Sequence, residues 1–172
     1  ILATLTLINI YKDLSKLNKN IFLNFKYPEG RGDFSKIKLN DKNIFLVDET
    51  YNSNPLSLKT AIENFDKIEK VNSKKYLILG DMLELGKHSI KQHKLISKIL
   101  NKSNIHKVYV YGKYIKETFK GLKTNKKAKI LTKKLQIIDL IKKDLNNNDY
   151  LMIKGSNATG LHKITKILKQ SN

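Results

Sequence analysis

The sequence predicts an α/β fold: a mostly parallel β-sheet with helices on both faces, entered through a β-hairpin. Three observations carry this reading. Short apolar runs such as Tyr76-Leu77-Ile78-Leu79 and Val108-Tyr109-Val110-Tyr111 recur along the chain, and strands buried on both faces need such runs. Between them lie segments whose apolar residues fall at helical spacing, the alternation of a parallel sheet. With 172 residues, 40% of them hydrophobic and 28% charged, the chain is long enough to bury one sizeable core.

In chain order, Leu2, Leu5, Ile8, Leu14, Leu17, Ile21 and Phe25 mark one face of one or two helices. Pro28-Glu29-Gly30-Arg31-Gly32-Asp33 is the strongest turn cluster, so it is a natural junction and the folded core should begin near residue 34. Residues 34–39 and 44–48 read as two strands around the turn Asn40-Asp41-Lys42-Asn43. A helix opens at Pro55, a residue favoured at the first helical position, with Asn54 as its cap. Strand 76–80 follows, and Gly86 leads into a helix on which Ile90, His93, Ile96, Ile99 and Leu100 share a face. Strand 108–112 precedes a short helix through Ile115 and Phe119. Residues 128–131 form a weaker strand, and helix 135–145 carries apolar residues at 135, 138, 141 and 145. Strand 150–153 and helix 161–168 complete the chain.

Thirty-four Lys+Arg against 15 Asp+Glu give a formal charge of +19, nearly all of it in residues 87–172. Thirty-three of those cations are lysine, and the chain also holds 18 asparagines. That bias indicates compositional drift plus solubility, because a nucleic-acid reader keeps arginine for bidentate contacts, and no nucleic-acid partner is expected. The lone Arg31 then either supplies a planar fork of donors or survives by chance. Zero cysteines exclude a disulfide framework and a thiolate metal site. No apolar run approaches the ~20 residues of a membrane helix and no signal peptide is visible, so a cytoplasmic protein without a membrane span is expected. Ile1 inside an apolar helical pattern leads us to expect a chain cut from something longer.

In parallel sheets ligands bind beyond the carboxyl ends of the strands, which directs attention to the loops after residues 48, 80, 111 and 153. The first is Asp48-Glu49-Thr50-Tyr51-Asn52-Ser53-Asn54-Pro55. Its strand-terminal acid suits a ribose diol, and its amides suit a base edge; helix capping accounts for Asn54 and Pro55 but less well for Asp48 and Tyr51. The second, Gly80-Asp81-Met82-Leu83-Glu84-Leu85-Gly86, carries two carboxylates between glycines but lacks the G-x-G-x-x-G spacing. The third, Lys154-Gly155-Ser156-Asn157-Ala158-Thr159-Gly160, either holds an anion on backbone N–H groups or simply joins strand to helix. His88, His93, His106 and His162 have no metal-ligand spacing, and no G-x-x-x-x-G-K-[ST] loop is present in these residues.

Taken together, Gly30-Arg31-Gly32, Tyr51-Asn52-Ser53-Asn54-Pro55, Gly80-Asp81-Met82-Leu83-Glu84-Leu85-Gly86 and Lys154-Gly155-Ser156 resemble the Mur ligases. The resemblance implies a Rossmann-like C-terminal domain over 31–172, with residues 1–30 as the helical tail of a central ATPase domain and a linker. It implies an ATP-dependent reaction of peptidoglycan synthesis in the cytoplasm. ATP phosphorylates the terminal carboxylate of UDP-N-acetylmuramoyl-tripeptide, and the amine of D-alanyl-D-alanine attacks the acyl phosphate. It places Arg31, Asp48, Tyr51, Asn52 and Asn54 at the nucleotide and Asp81, Glu84, Lys154 and Ser156 at the incoming dipeptide. The Mg2+ ligands and phosphate loop fall to the central domain, so this chain by itself is expected to be inactive, with no certain catalytic residue, and the enzyme to be a monomer. One departure stands out: the family carries an arginine after Lys-Gly-Ser, where this chain has Asn157. Another amide ligase of the same fold, such as a folylpolyglutamate synthase, is the nearest alternative; a basic nucleic-acid-binding module is favoured by charge alone.

Overall fold

The computed structural model describes residues 2–18, 20, 28–39, 41–69 and 72–170. Among the described residues six strands form one sheet: β1 (Asp33–Leu39), β2 (Lys42–Glu49), β3 (Lys75–Gly80), β4 (Lys107–Tyr111), β5 (Lys127–Leu131) and β6 (Tyr150–Lys154). Their order across the sheet is β1-β2-β6-β3-β4-β5, and only the β1–β2 pair is antiparallel. The hairpin is tighter than the sequence implies. Leu39 pairs with Lys42, so Lys42 and Asn43 belong to the second strand instead of the turn.

Helices α2 (Pro55–Asp66), α3 (Ser89–Leu100) and α4 (Lys116–Lys120) cover one face; α5 (Gln136–Asp144) and α6 (Leu161–Gln170) cover the other. The split follows from the two-residue period of a strand. Tyr76 and Ile78 join the α5/α6 layer, whereas Leu77 and Leu79 join the α2/α3/α4 layer. All five residues of β6 are buried, as the middle of such a sandwich requires. Near the hairpin, Phe34, Phe45 and Tyr150 stack across three adjacent strands, with ring centroids 5.7 Å and 4.8 Å apart for the successive pairs.

Helix α2 opens as expected: the Asn54 side chain accepts from Ser57 N at 2.8 Å, Ser57 Oγ accepts from Asn54 N at 3.0 Å, and Pro55 stands first. Two helical faces differ from expectation. On α3, Ile90 is 53% exposed, and the buried stripe runs through Ser89, His93, Ile96, Ser97 and Leu100. In α5 the helix begins at Gln136, leaving Leu135 outside it and 65% exposed; Ile137, Leu140 and Ile141 are the residues that meet the sheet. Both segments are apolar on more than one side, so periodicity alone admits two phases, and contact with the sheet selects one.

Ahead of the hairpin, α1 (Leu2–Tyr11) and a 3-10 turn at Leu14–Lys16 contain no buried residue among those whose side chains are described. Leu7, Ile10 and Tyr11 are 62%, 67% and 85% exposed. The predicted apolar positions Ile21 and Phe25 lie outside the described residues. Because the α1 side chains contribute so little burial, deleting residues 1–18 should shift the melting temperature by less than about 2 °C, equivalent to under ~0.5 kcal/mol. Calorimetry of residues 19–172 checks this, and loss of a cooperative transition would refute it.

Candidate functional site

The carboxyl ends of β2 and β6 open into a cleft of about 510 Å³, bounded by Pro28 to Gly30, the strand end at Asp48, Thr50 and Tyr51, the loop residue Asn157, and His162, Thr165, Lys166 and Lys169 of α6. Gly30 and Gly32 position its near wall. Both adopt left-handed backbone, with φ of +74° and +82°. Gly32 N donates to the Asp48 carbonyl at 2.9 Å and Tyr51 N donates to the Gly30 carbonyl at 3.0 Å, so the junction is laced to the end of β2. A Cβ on Gly30 would lie 2.8 Å from Tyr51 N, which leaves glycine as the residue that fits. Between the two glycines Arg31 lays its guanidinium over the Tyr51 ring, 3.9 Å from the centroid.

Asp48 is 2% exposed and fully engaged on one oxygen. Its Oδ1 accepts from Thr50 N at 3.1 Å and Thr50 Oγ1 at 2.6 Å; Oδ2 accepts from Lys169 Nζ at 2.7 Å. Lys169 also pairs with Asp33, which stands opposite Asp48 in the hairpin register. Burial pushes the Asp48 carboxyl up, but the bonds from Lys169, Thr50 and Thr165 and the Lys169 charge outweigh it and hold it below the ordinary carboxylate value. Lys169 is shifted the other way. Burial opposes its charge, and its bonds to Asp33 and Asp48 more than restore it.

A second set of contacts binds the three strand-end loops into one lip. Lys154, 2% exposed, donates to Glu49 Oε2 at 3.2 Å and to the Asn52 carbonyl at 2.9 Å; Glu49 is its lateral neighbour in the parallel register. Ser156 Oγ accepts from Leu83 N at 2.9 Å and donates to the Ser53 carbonyl at 3.2 Å, and Ser156 N donates to the Asp81 carbonyl at 3.0 Å. Asp81 in turn accepts from Lys113 N at 2.9 Å and Ile115 N at 2.7 Å with separate carboxylate oxygens. Gly112, at φ +144°, gives that carboxylate room: a Cβ there would come within 2.5 Å of it. Beneath the lip, His93 Nε2 accepts from Met82 N at 3.0 Å while Nδ1 lies 2.7 Å from the Ser89 carbonyl, an arrangement that suits the neutral ring.

A model of the Mur ligase glutamate ligase domain matches residues 34–157, nearly the whole sheet. The chain belongs to the Mur ligases. The UDP-N-acetylmuramoyl-tripeptide–D-alanyl-D-alanine ligase of Bacillus subtilis is 31% identical over 134 residues, covering 76% of this chain and 29% of that protein. Its counterpart from Buchnera aphidicola is 33% identical over 135 residues, covering 76% and 28%. The crystal structure of MurF ligase from Thermotoga maritima in complex with ADP superposes with a TM-score of 0.72 at 22% identity, over 99% of this chain and 36% of that one, and so shares the fold. This Mur ligase chain therefore spans under a third of the length of these two curated relatives.

The structure brings Arg31, Asp48 and Tyr51 together at the cleft, with Asn157 at its rim. It spends Asn54 on the α2 cap, and Asn52 supplies the carbonyl that receives Lys154 and an Oδ1 that accepts from Ser53 N at 2.7 Å. Asp81, Lys154 and Ser156 are buried in the lip, while Glu84 is exposed on the same loop at φ +66°. Lys169 was not apparent from the sequence. Its only sequence signal is the i, i+3 spacing from Lys166, which sets both on the cleft side of α6. Among the described residues no group of three His, Asp or Glu gathers to hold a metal ion. The buried carboxylates do not fit one: Asp48 is held by Lys169 and Asp81 by backbone N–H groups.

Burial lowers the His93 pKa from the ordinary 6.5, against the opposing bond to Ser89 and the charge of Asp81. A histidine kept neutral on folding contributes stability that is full above 6.5 and is lost as pH falls towards its folded value. His106, also lowered by burial and by the nearby lysines, acts with the same sign; Asp48 adds its loss below about pH 4. The melting temperature should therefore fall between about pH 7 and 5, and His93→Gln should flatten that fall while lowering stability overall. An unchanged slope in the variant would refute the assignment.

Proposed function

We propose that this chain is the C-terminal part of an ATP-dependent ligase that joins D-alanyl-D-alanine to UDP-N-acetylmuramoyl-tripeptide in peptidoglycan precursor synthesis. The observation that carries the reading is the strand-end cluster: a buried, ionised Asp48 beside an arginine–tyrosine platform, opening on a cleft at the carboxyl edge of the sheet. Relatives that bear this name and share up to 37% identity support the choice of substrates. In this reading residues 1–30 end the central ATPase domain and 31–172 form the C-terminal domain. The complete enzyme is a cytoplasmic monomer, and Mg2+ is held by the central domain.

Each group has a task that its surroundings suit. Asp48 accepts from the ribose, and the Arg31–Tyr51 pair lines the nucleotide, with the guanidinium edge still free to donate to anionic oxygens. Asn52 and Asn54 shape the loop that meets the nucleotide. Lys154 and Ser156, with Asp81 and Glu84, form the side that meets the dipeptide. The first three hold the shape of that side, and exposed Glu84 offers its carboxylate to the dipeptide ammonium. Closing this lip over the ATPase domain excludes water from the acyl phosphate, so that the amine and not water attacks carbonyl carbon and phosphate leaves.

Purified full-length ligase should release ADP only when both the tripeptide nucleotide and D-alanyl-D-alanine are present, and residues 1–172 alone should release none. ADP release from the isolated chain would refute the division of labour. Arg31→Lys keeps the charge but loses the planar stack and the fork of donors, each charge-assisted bond being worth roughly 1.5–3 kcal/mol. The Michaelis constant for ATP should rise about tenfold to a hundredfold, with the melting temperature unchanged because Arg31 is exposed. An unchanged ATP dependence would return Arg31 to chance.

A further inference from the structure

We propose that Lys169 is the positioning residue for Asp48, fixing that carboxylate so that its one remaining acceptor direction, on Oδ2, faces the ribose of a bound nucleotide. The inference rests on the reading that Asp48 meets the ribose. Thr50 supplies two donors to Oδ1, from N at 3.1 Å and Oγ1 at 2.6 Å, which fills both lone-pair directions of that oxygen. Lys169 Nζ takes one direction of Oδ2 at 2.7 Å. The Thr165 hydroxyl also lies beside this carboxylate, but its one proton goes to the His162 carbonyl at 3.0 Å, so the acceptor capacity left over belongs to Oδ2, on a carboxylate that forms part of the cleft wall.

Charge makes the lysine necessary. Asp33 and Asp48 are directly paired across the hairpin, and both carboxylates rest on the same ammonium. Without a cation between them, two acids on neighbouring strands repel, and Asp48, at 2% exposure, has little water to relieve it. The carboxylate then either turns away or takes up a proton, and in both cases the acceptor aimed at the ribose is lost. Lys169 reaches this point from α6, 121 residues further along the chain, and it lines the cleft. A lysine that only tied α6 to the hairpin would hold the fold without distinguishing one sugar from another.

The test measures Michaelis constants of the full-length ligase for ATP and 2′-deoxy-ATP, with 3′-deoxy-ATP as a second probe of the diol. The native enzyme should prefer ATP by about tenfold, the value of one charge-assisted bond. Lys169→Met should erase the preference by raising the constant for ATP to that of the deoxy nucleotides, whose own constants stay within about twofold. Lys169→Arg should retain it, and Asp48→Asn should erase it as Lys169→Met does. Melting temperatures are recorded alongside; where Lys169→Met does not fold, Lys169→Gln, which keeps a donor without the charge, takes its place. Native preference in the lysine variant, together with its loss in Asp48→Asn, overturns the proposal and leaves the ribose reading standing. No preference in the native enzyme, or none lost in Asp48→Asn, overturns the ribose reading and this proposal with it.

Discussion

A lysine ammonium removed from water must find its compensation inside the protein, and at Lys154 that requirement organises the carboxyl edge of the sheet. The cost of burying such a group is several kcal/mol, so its partners are not optional. Glu49 supplies the opposite charge from the adjacent strand, and the Asn52 carbonyl supplies a dipole from the following loop. Meeting both draws the loop after β2 onto the end of β6. Ser156, two residues on, then accepts from the loop after β3 and donates to the loop after β2. Three connections that are separate in sequence thereby become one surface, and the cleft beside them inherits a rigid wall.

Electrostatic design at the cleft is lopsided in an instructive way. The second half of the chain has a large surplus of lysine, yet the lysine at Asp48 is fully committed and cannot be counted as free positive potential. Lys166 lines the cleft, and Arg31 lies over the Tyr51 ring that borders it. The diffuse charge of the surface contributes attraction at long range, and that attraction is screened within a Debye length of roughly 8–10 Å at ordinary ionic strength. The geometry at short range rests on a few residues placed by glycines and strand ends.

Strand positions were legible in the sequence because each strand is a short apolar run bounded by turn residues, as at Tyr76 to Gly80 and Tyr150 to Lys154. The α2 start was legible because capping is local: Asn54, Pro55 and Ser57 make their contacts within four residues. The phase of α5 was not, since Leu135 and Ile137 are both apolar and only the sheet distinguishes them. In the site, Asp48 and Arg31 stood out by position and by rarity. Lys154 was visible as a residue but not as a buried hub, and Lys169 was one lysine among 33. Their partners lie 102 to 136 residues away in sequence, so no local pattern records them.

Among the described residues the strand order leaves β1 and β5 at the two margins of the sheet, where a strand's outer backbone groups can act as a template for an extended chain. Both margins carry lysines at alternate positions, Lys36 and Lys38 on one and Lys127 and Lys129 on the other. An incoming copy would set these cations against their own counterparts in an antiparallel or in-register approach. Like charge at the margins opposes edge-to-edge pairing, an end that a closed barrel reaches by geometry.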